Sequence, residues 1–205
     1  MARRELKGFY FITDSRLSEN GIIEDVRQAL AAGAAIVQYR EKDAAKETRL
    51  SEAKEIQEMC RQAGVTFIIN DDVELAKEIG ADGVHVGRED MPASDSRRIL
   101  GPEFIIGVSA ETVEEVKKAE RDGADYLAVS PVFFTPSKPE AGKGGGIQGV
   151  RELRKATRLP LAAIGGLNRD NIHEVMEAGA DMVCAISASL KNGTVEENIR
   201  KLMGE

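Results

Sequence analysis

Arg40 and Lys42 flank a single residue, and together they offer a planar guanidinium fork beside a compact ammonium. That combination suits the oxygens of a phosphate or diphosphate. Asp71 and Asp90 are carboxylates of the kind that hold Mg2+ along with substrate phosphates and several waters. Gly165-Gly166 followed by Ser187-Ala188-Ser189 provides a second place for an anion, through glycine N–H groups and small hydroxyls. Each feature also has a plainer reading. Arg40-Glu41-Lys42-Asp43 is balanced in sign and could be a solvated charge run. Gly165-Gly166 could simply turn tightly. Asp71 or Asp72 could cap a helix, a role assigned to Asp72. Asp90 could serve the turn before Met91-Pro92.

Position separates these readings, so the elements that carry the residues matter. Short apolar or β-branched runs recur at Phe9–Thr13, Ile36–Tyr39, Thr66–Ile69, Gly83–Val86, Ile105–Val108, Tyr126–Val129, Leu161–Ile164 and Met182–Ala185. Each is too short for a helix and is bounded by turn residues. Amphipathic segments lie between them. In Lys46–Ala63, Leu50, Ala53, Ile56 and Cys60 make one apolar stripe. Gly80-Ala81-Asp82, Gly123-Ala124-Asp125 and Gly179-Ala180-Asp181 each close a helix and lead into a strand, with Gly33-Ala34-Ala35 as a weaker copy. Thr112 with Glu115, and Thr194 with Glu197, have the spacing of capping boxes. Strands alternating with helices imply a parallel sheet with right-handed crossovers, hence an α/β protein. The count of units favours a closed (β/α)8 TIM barrel over residues 1–205 as one domain. An open doubly wound sheet is the alternative.

In such a barrel, chemistry gathers at the C-terminal ends of the strands. Those ends carry Gln38-Tyr39-Arg40-Glu41-Lys42, Asn70-Asp71-Asp72, Gly87-Arg88-Glu89-Asp90, Ser109, Thr135-Pro136-Ser137-Lys138, Gly165-Gly166, and Ser187 with Ser189. The helix start at Thr112 leaves Ser109 outside the cap. His85, inside a strand run, reads as a packed histidine, and His173 as a surface residue. Gly142-Lys143-Gly144-Gly145-Gly146 lacks the Walker A spacing and reads as a flexible lid over the rim.

The chain has 205 residues, a formal net charge of −7 and only 4% aromatic residues, with no Trp. Nucleic acid and anionic membranes are therefore excluded as expected partners, while a local basic cluster can still bind a small anion. No apolar run is long enough to span a bilayer. Cys60 and Cys184 lack zinc-site spacing and read as buried thiols in a reducing compartment, so a cytoplasmic location is expected.

The motifs Gln38-Tyr39-Arg40-Glu41-Lys42, Ile69-Asn70-Asp71-Asp72, Gly83 through Asp90, Gly107-Val108-Ser109, Pro131-Val132-Phe133 through Lys138, and Ile164-Gly165-Gly166-Leu167 resemble, in order and spacing, the thiamine-phosphate synthase and thiazole tautomerase family. The likeness spans nearly the whole chain. It implies that Gln38, Tyr39, Arg40, Glu41, Lys42, Asn70, Ser109 and Lys138 bind hydroxymethylpyrimidine diphosphate, and that Asp71 and Asp90 hold Mg2+. Thr135, Pro136 and Ser137, with Gly166, Ile186 and Ser187, would bind the thiazole phosphate, in its ordinary or carboxylated form. The implied chemistry breaks the C–O bond to diphosphate first, and the thiazole nitrogen then attacks a pyrimidine-stabilised cation. Arg40, Ser109 and Lys138 would be catalytic by stabilising the leaving group rather than as strong bases. Two departures stand out: Arg88 where the family usually has Gln, adding charge beside a metal ligand, and Ser137 where it usually has Thr. The sister tautomerase uses a histidine near the end of the sixth strand, where this chain reads Ser130-Pro131-Val132-Phe133. Metal-dependent epimerases need more histidines than His85 and His173. A degenerate barrel that binds thiamine precursors without turnover is the non-enzymatic rival. A homo-oligomer is compatible with the sequence but not specified by it.

Overall fold

The computed structural model describes residues 5–135 and 144–205. Its strands are β1 (Gly8–Ile12), β2 (Ile36–Tyr39), β3 (Thr66–Asn70), β4 (Gly83–Val86), β5 (Ile105–Ser109), β6 (Tyr126–Val129), β7 (Leu161–Ile164) and β8 (Met182–Cys184). The helices are α1 (Ile22–Ala31), α2 (Lys46–Ala63), α3 (Val73–Ile79), α4 (Ala93–Leu100), α5 (Val113–Arg121), α6 (Gly146–Ala156), α7 (Ile172–Glu177), α8 (Ile186–Leu190) and α9 (Val195–Met203). Every neighbouring pair of strands is parallel, and β1 pairs with β8, so the sheet closes. The open-sheet alternative is thereby overturned, and the architecture is a (β/α)8 barrel.

Both faces of each strand are buried, which is why the strands read as continuous apolar runs. Alternate residues still part company. Tyr10, Ile12, Ile36, Ile68, Tyr126, Ala128, Ala162, Met182 and Cys184 cluster inside the barrel. Phe9, Phe11, Val37, Tyr39, Phe67, Ile69, Val84 and Leu127 belong to the outer core, against the helices. Both cysteines are buried as thiols.

The Gly-Ala-Asp repeats do more than turn the chain. Their glycines take positive φ just past a helix end, at 67° for Gly80, 87° for Gly123 and 112° for Gly179. Each aspartate then accepts from a backbone N–H at the start of the preceding strand: Asp82 from Phe67 at 2.8 Å, Asp125 from Ile106 at 2.8 Å and Asp181 from Leu161 at 2.9 Å. The carboxylates thus tie β3 to β4, β5 to β6 and β7 to β8 at the bottom of the barrel. Arg97 locks onto Asp125 and Arg154 onto Asp181, at 2.5 and 2.9 Å. The weaker copy ends in Ala35 and supplies no such carboxylate to β1 and β2. Thr112 makes the full capping box with Glu115, and Thr194 caps α9 by accepting from Glu197 N. Among the described residues no helix is long and apolar enough to cross a membrane.

Candidate active site

At the C-terminal ends of the strands lies a cavity of about 430 Å3. A larger hollow of about 640 Å3 at the opposite end is lined by Arg154, Asp181 and Asp125, groups already committed to tying strands together. The upper cavity gathers the residues expected at the strand ends. Gln38, Arg40, Lys42, Asn70, Asp71, Asp90, Ser109, Thr135, Gly166, Ile186 and Ser187 all line it. Eleven residues expected from the sequence thus come from seven of the eight βα loops and strand ends to one rim.

Each cation is placed by a specific device. The Thr13 hydroxyl donates to Arg40 O at 3.0 Å and accepts from Arg40 N at 2.8 Å, pinning the end of β2 to the end of β1. Asp14 then steadies the Arg40 guanidinium at 3.2 Å. Lys42 reaches the Asp71 carboxylate at 3.4 Å. Asp71 itself sits at a φ of 62°, a conformation uncommon for a residue with a side chain. Its N–H bonds His85 O at 2.8 Å, continuing the β3–β4 ladder by one residue before the chain swings into α3. Asp72 caps that helix by accepting from Leu75 N at 2.9 Å, as expected, which leaves Asp71 for the rim. Asp90 is turned inward by a bond from Gly87 N to its Oδ2 at 2.8 Å. A Cβ on residue 87 would stand 2.7 Å from that oxygen, so glycine lets the carboxylate keep this position.

Burial and the facing carboxylate of Asp90 raise the pKa of Asp71, and Lys42 offsets part of this. Two facing carboxylates with open rim before them make a donor set that fits a hard divalent cation. Among the described residues no group of three or more His, Cys, Asp or Glu could hold a metal. A cation held there would draw its other ligands from water and substrate.

Beneath the rim runs a chain of polar side chains that the sequence reading missed. Gln38 Nε2 donates to the Tyr10 hydroxyl at 2.7 Å, and Tyr10 and Tyr126 hydroxyls pair at 2.7 Å. The Tyr126 hydroxyl meets His85 Nδ1 at 3.0 Å, and His85 Nε2 meets Ser109 Oγ at 3.1 Å. Burial pushes His85 down to about 4, so its ring is neutral at neutral pH, although Asp90 pulls the other way. Burial likewise raises both tyrosines. His85 is packed, as expected, yet it also lines the cavity. The available signal was its phase in Gly83-Val84-His85-Val86, opposite to the outward Val84 and Val86. Asp14 was missed because nothing after the first strand was considered.

Other expectations need correction. Tyr39 does not face the cavity: its hydroxyl donates to Glu52 on α2 at 2.8 Å, because it falls on the outward phase next to inward Gln38. Glu41 turns back onto its own loop, accepting from Asp43 N and Ala44 N at 2.7 and 3.2 Å. Ser189 donates to Ile186 O within the turn of α8 and is buried, so only Ser187 reaches the cavity. Arg88 points away from the carboxylate pair, to Glu111 at 2.8 Å and Glu115 at 3.5 Å. Gly144 to Gly146 are not free lid: Gly146 N bonds Val132 O at 2.8 Å, and a Cβ on Gly144 would stand 2.3 Å from the same oxygen. Pro136, Ser137, Lys138, Gly142 and Lys143 lie outside the described residues.

Fold and site together define a barrel enzyme whose paired carboxylates and neighbouring cations face one small-molecule pocket. Residues 9–189 match the family model described as thiamine monophosphate synthase. The chain is 43% identical over 192 residues to the thiamine-phosphate synthase of Methanosarcina barkeri, covering 94% of this chain and 87% of that protein. It is 46% identical over 180 residues to the thiamine-phosphate synthase of Moorella thermoacetica, covering 88% and 86%. The structure of thiamine phosphate pyrophosphorylase from Pyrococcus furiosus superposes with a TM-score of 0.89 at 36% identity, covering 98% of this chain and 95% of that one. The chain belongs to the thiamine monophosphate synthase family. The tautomerase alternative gains no support from these names.

Proposed function

We propose that this barrel is a transferase that joins hydroxymethylpyrimidine diphosphate to hydroxyethylthiazole phosphate, or its carboxylated form, giving thiamine phosphate and diphosphate. The observation that carries the reading is the Asp71–Asp90 pair with Lys42 and Arg40 beside it, above Asn70 and Ser109. Asp71 and Asp90 would hold Mg2+, which would supply charge neutralisation for the departing diphosphate. Arg40, fixed by Thr13 and Asp14, presents its fork to the same oxygens, and Lys42 adds a point charge. Ser109 contributes a hydroxyl from the end of β5. Lys138 is assigned to the leaving group, and Thr135, Pro136, Ser137, Gly166, Ile186 and Ser187 to the thiazole phosphate, on the resemblance. The cavity walls hold the two substrates in line, which matters more here than a strong base. We assign the enzyme, a single barrel domain, to the cytoplasm.

The test is Asp71→Asn, which keeps shape and removes charge. Turnover in Mg2+ should fall by orders of magnitude while the far-ultraviolet circular dichroism stays unchanged, and calorimetric Mg2+ binding should be lost. Near-normal turnover would remove the metal assignment.

A further inference from the structure

The five side chains below the rim can be hydrogen-bonded throughout in only one direction once Gln38 is placed. A Gln amide nitrogen donates and never accepts, so Tyr10 receives the Gln38 N–H. Its own hydrogen must then go to Tyr126, the other partner of its hydroxyl. Tyr126 passes its hydrogen to His85 Nδ1. A neutral imidazole that accepts at Nδ1 carries its proton on Nε2, so His85 donates to Ser109 Oγ. Reversing any one link alone would set two hydrogens against each other or leave a buried hydrogen without an acceptor, at the cost of an unmade bond.

We infer that Gln38, Tyr10, Tyr126, His85 and Ser109 form one polarised hydrogen-bond chain, whose direction leaves the Ser109 hydroxyl as a donor and the Gln38 carbonyl as an acceptor toward the cavity. The two ends are thereby coupled. An anion at Ser109 needs a donor, and the chain that supplies it obliges Gln38 to accept. The opposite polarity would make Ser109 an acceptor, which an anion repels, and would turn Gln38 into a donor. The cavity therefore selects a ligand with an anionic group near Ser109 and a hydrogen-bond donor, such as an exocyclic amino group, near Gln38. Tyr126 is the positioning residue. It touches neither end of the cavity chemistry, yet both ends take their polarity through it. Gly107 makes this possible: it lies between His85 and Tyr126 in the register of β4, β5 and β6, and its missing side chain lets their rings stack at 5.5 Å.

The inference deepens the synthase reading and rests on it only for the identity of the ligand. Its test reads the chain itself. His173 is exposed on α7, so His173→Gln leaves one histidine in an otherwise intact protein. With its ring nitrogens isotope-labelled, magnetic resonance at neutral pH should show His85 as the Nε2–H tautomer, with and without inorganic diphosphate and Mg2+. In Tyr126→Phe, which keeps the ring stack, that single tautomer should give way to a mixture. The same variant should lose about tenfold in kcat/KM for the aminopyrimidine diphosphate, the worth of one hydrogen bond, with the KM for thiazole phosphate little changed. It should also discriminate less between that substrate and the analogue with oxygen in place of the amino group. An Nδ1–H tautomer in the parent protein, or unchanged discrimination in Tyr126→Phe, would overturn the proposed polarity. The predicted tautomer in a protein that makes no thiamine phosphate would instead remove the synthase reading and leave the chain's direction standing.

Discussion

Adding one methyl group at Gly107 should unseat the floor of the pocket. A Cβ there would stand 2.0 Å from Tyr126 Cζ and 2.3 Å from its hydroxyl oxygen. Gly107 is not at positive φ, so the backbone accepts alanine and the cost is steric. Tyr126 cannot retreat easily. It is 1% exposed, edge-on to Tyr10 and stacked on His85. Forcing a buried ring aside costs about 1–3 kcal/mol in overpacking. Moving its hydroxyl strands the Tyr10 hydroxyl and His85 Nδ1, at about 1–3 kcal/mol for each group left unpaired. The sum is roughly 3–9 kcal/mol. A domain of this size loses roughly 2–4 °C per kcal/mol, so Gly107→Ala should melt roughly 6–36 °C below the parent. Thermal unfolding followed by circular dichroism measures this. Gly149→Ala is the control: it sits inside α6 with nothing within 4 Å of its Cβ, and should gain up to about 1 kcal/mol. A Gly107→Ala protein melting within about 2 °C of the parent would refute the packing argument.

His85 makes stability depend on pH. Its folded pKa of about 4 lies below the ordinary 6.5, so the folded state binds fewer protons and stability falls as pH drops through that window. The loss should be on the order of 3 kcal/mol, and His85→Gln should flatten it in denaturant titrations across pH. Thr13→Val is nearly isosteric but strands Arg40 N–H and C=O, so unfolding should become easier by about 1–3 kcal/mol. The same variant should raise the KM for the diphosphate substrate, because Arg40 loses its seat. Arg88→Gln should change that KM by less than about threefold and stability by no more than about 1 kcal/mol, since it breaks only half-exposed pairs with Glu111 and Glu115.

The barrel was legible because its strands are buried on both faces and so stand out as short apolar runs between amphipathic helices. The α2 limits, Lys46–Ala63, were read to the residue. The rim was legible because strand ends carry the chemistry, which brought Arg40, Lys42, Asn70, Asp71, Asp90 and Ser109 together before any geometry was known. The same double burial hid the rest. Where both faces are apolar, no alternation tells inward from outward. Tyr39 therefore read like Gln38 although its hydroxyl points to α2. Tyr10 and Tyr126 sat unremarked inside strand runs although their hydroxyls make the polar floor. His85 read as packed, which it is, while its role in joining Tyr126 to Ser109 depends on a glycine one strand away. Arg88 read as a neighbour of Asp90, and only the position of α5 shows why it turns to Glu111 instead.

The most direct test mixes the purified protein with hydroxymethylpyrimidine diphosphate, hydroxyethylthiazole phosphate and Mg2+, and measures thiamine phosphate. Product that forms, and that EDTA abolishes and added Mg2+ restores, is the predicted result. No product from either thiazole form with Mg2+ present would contradict the account.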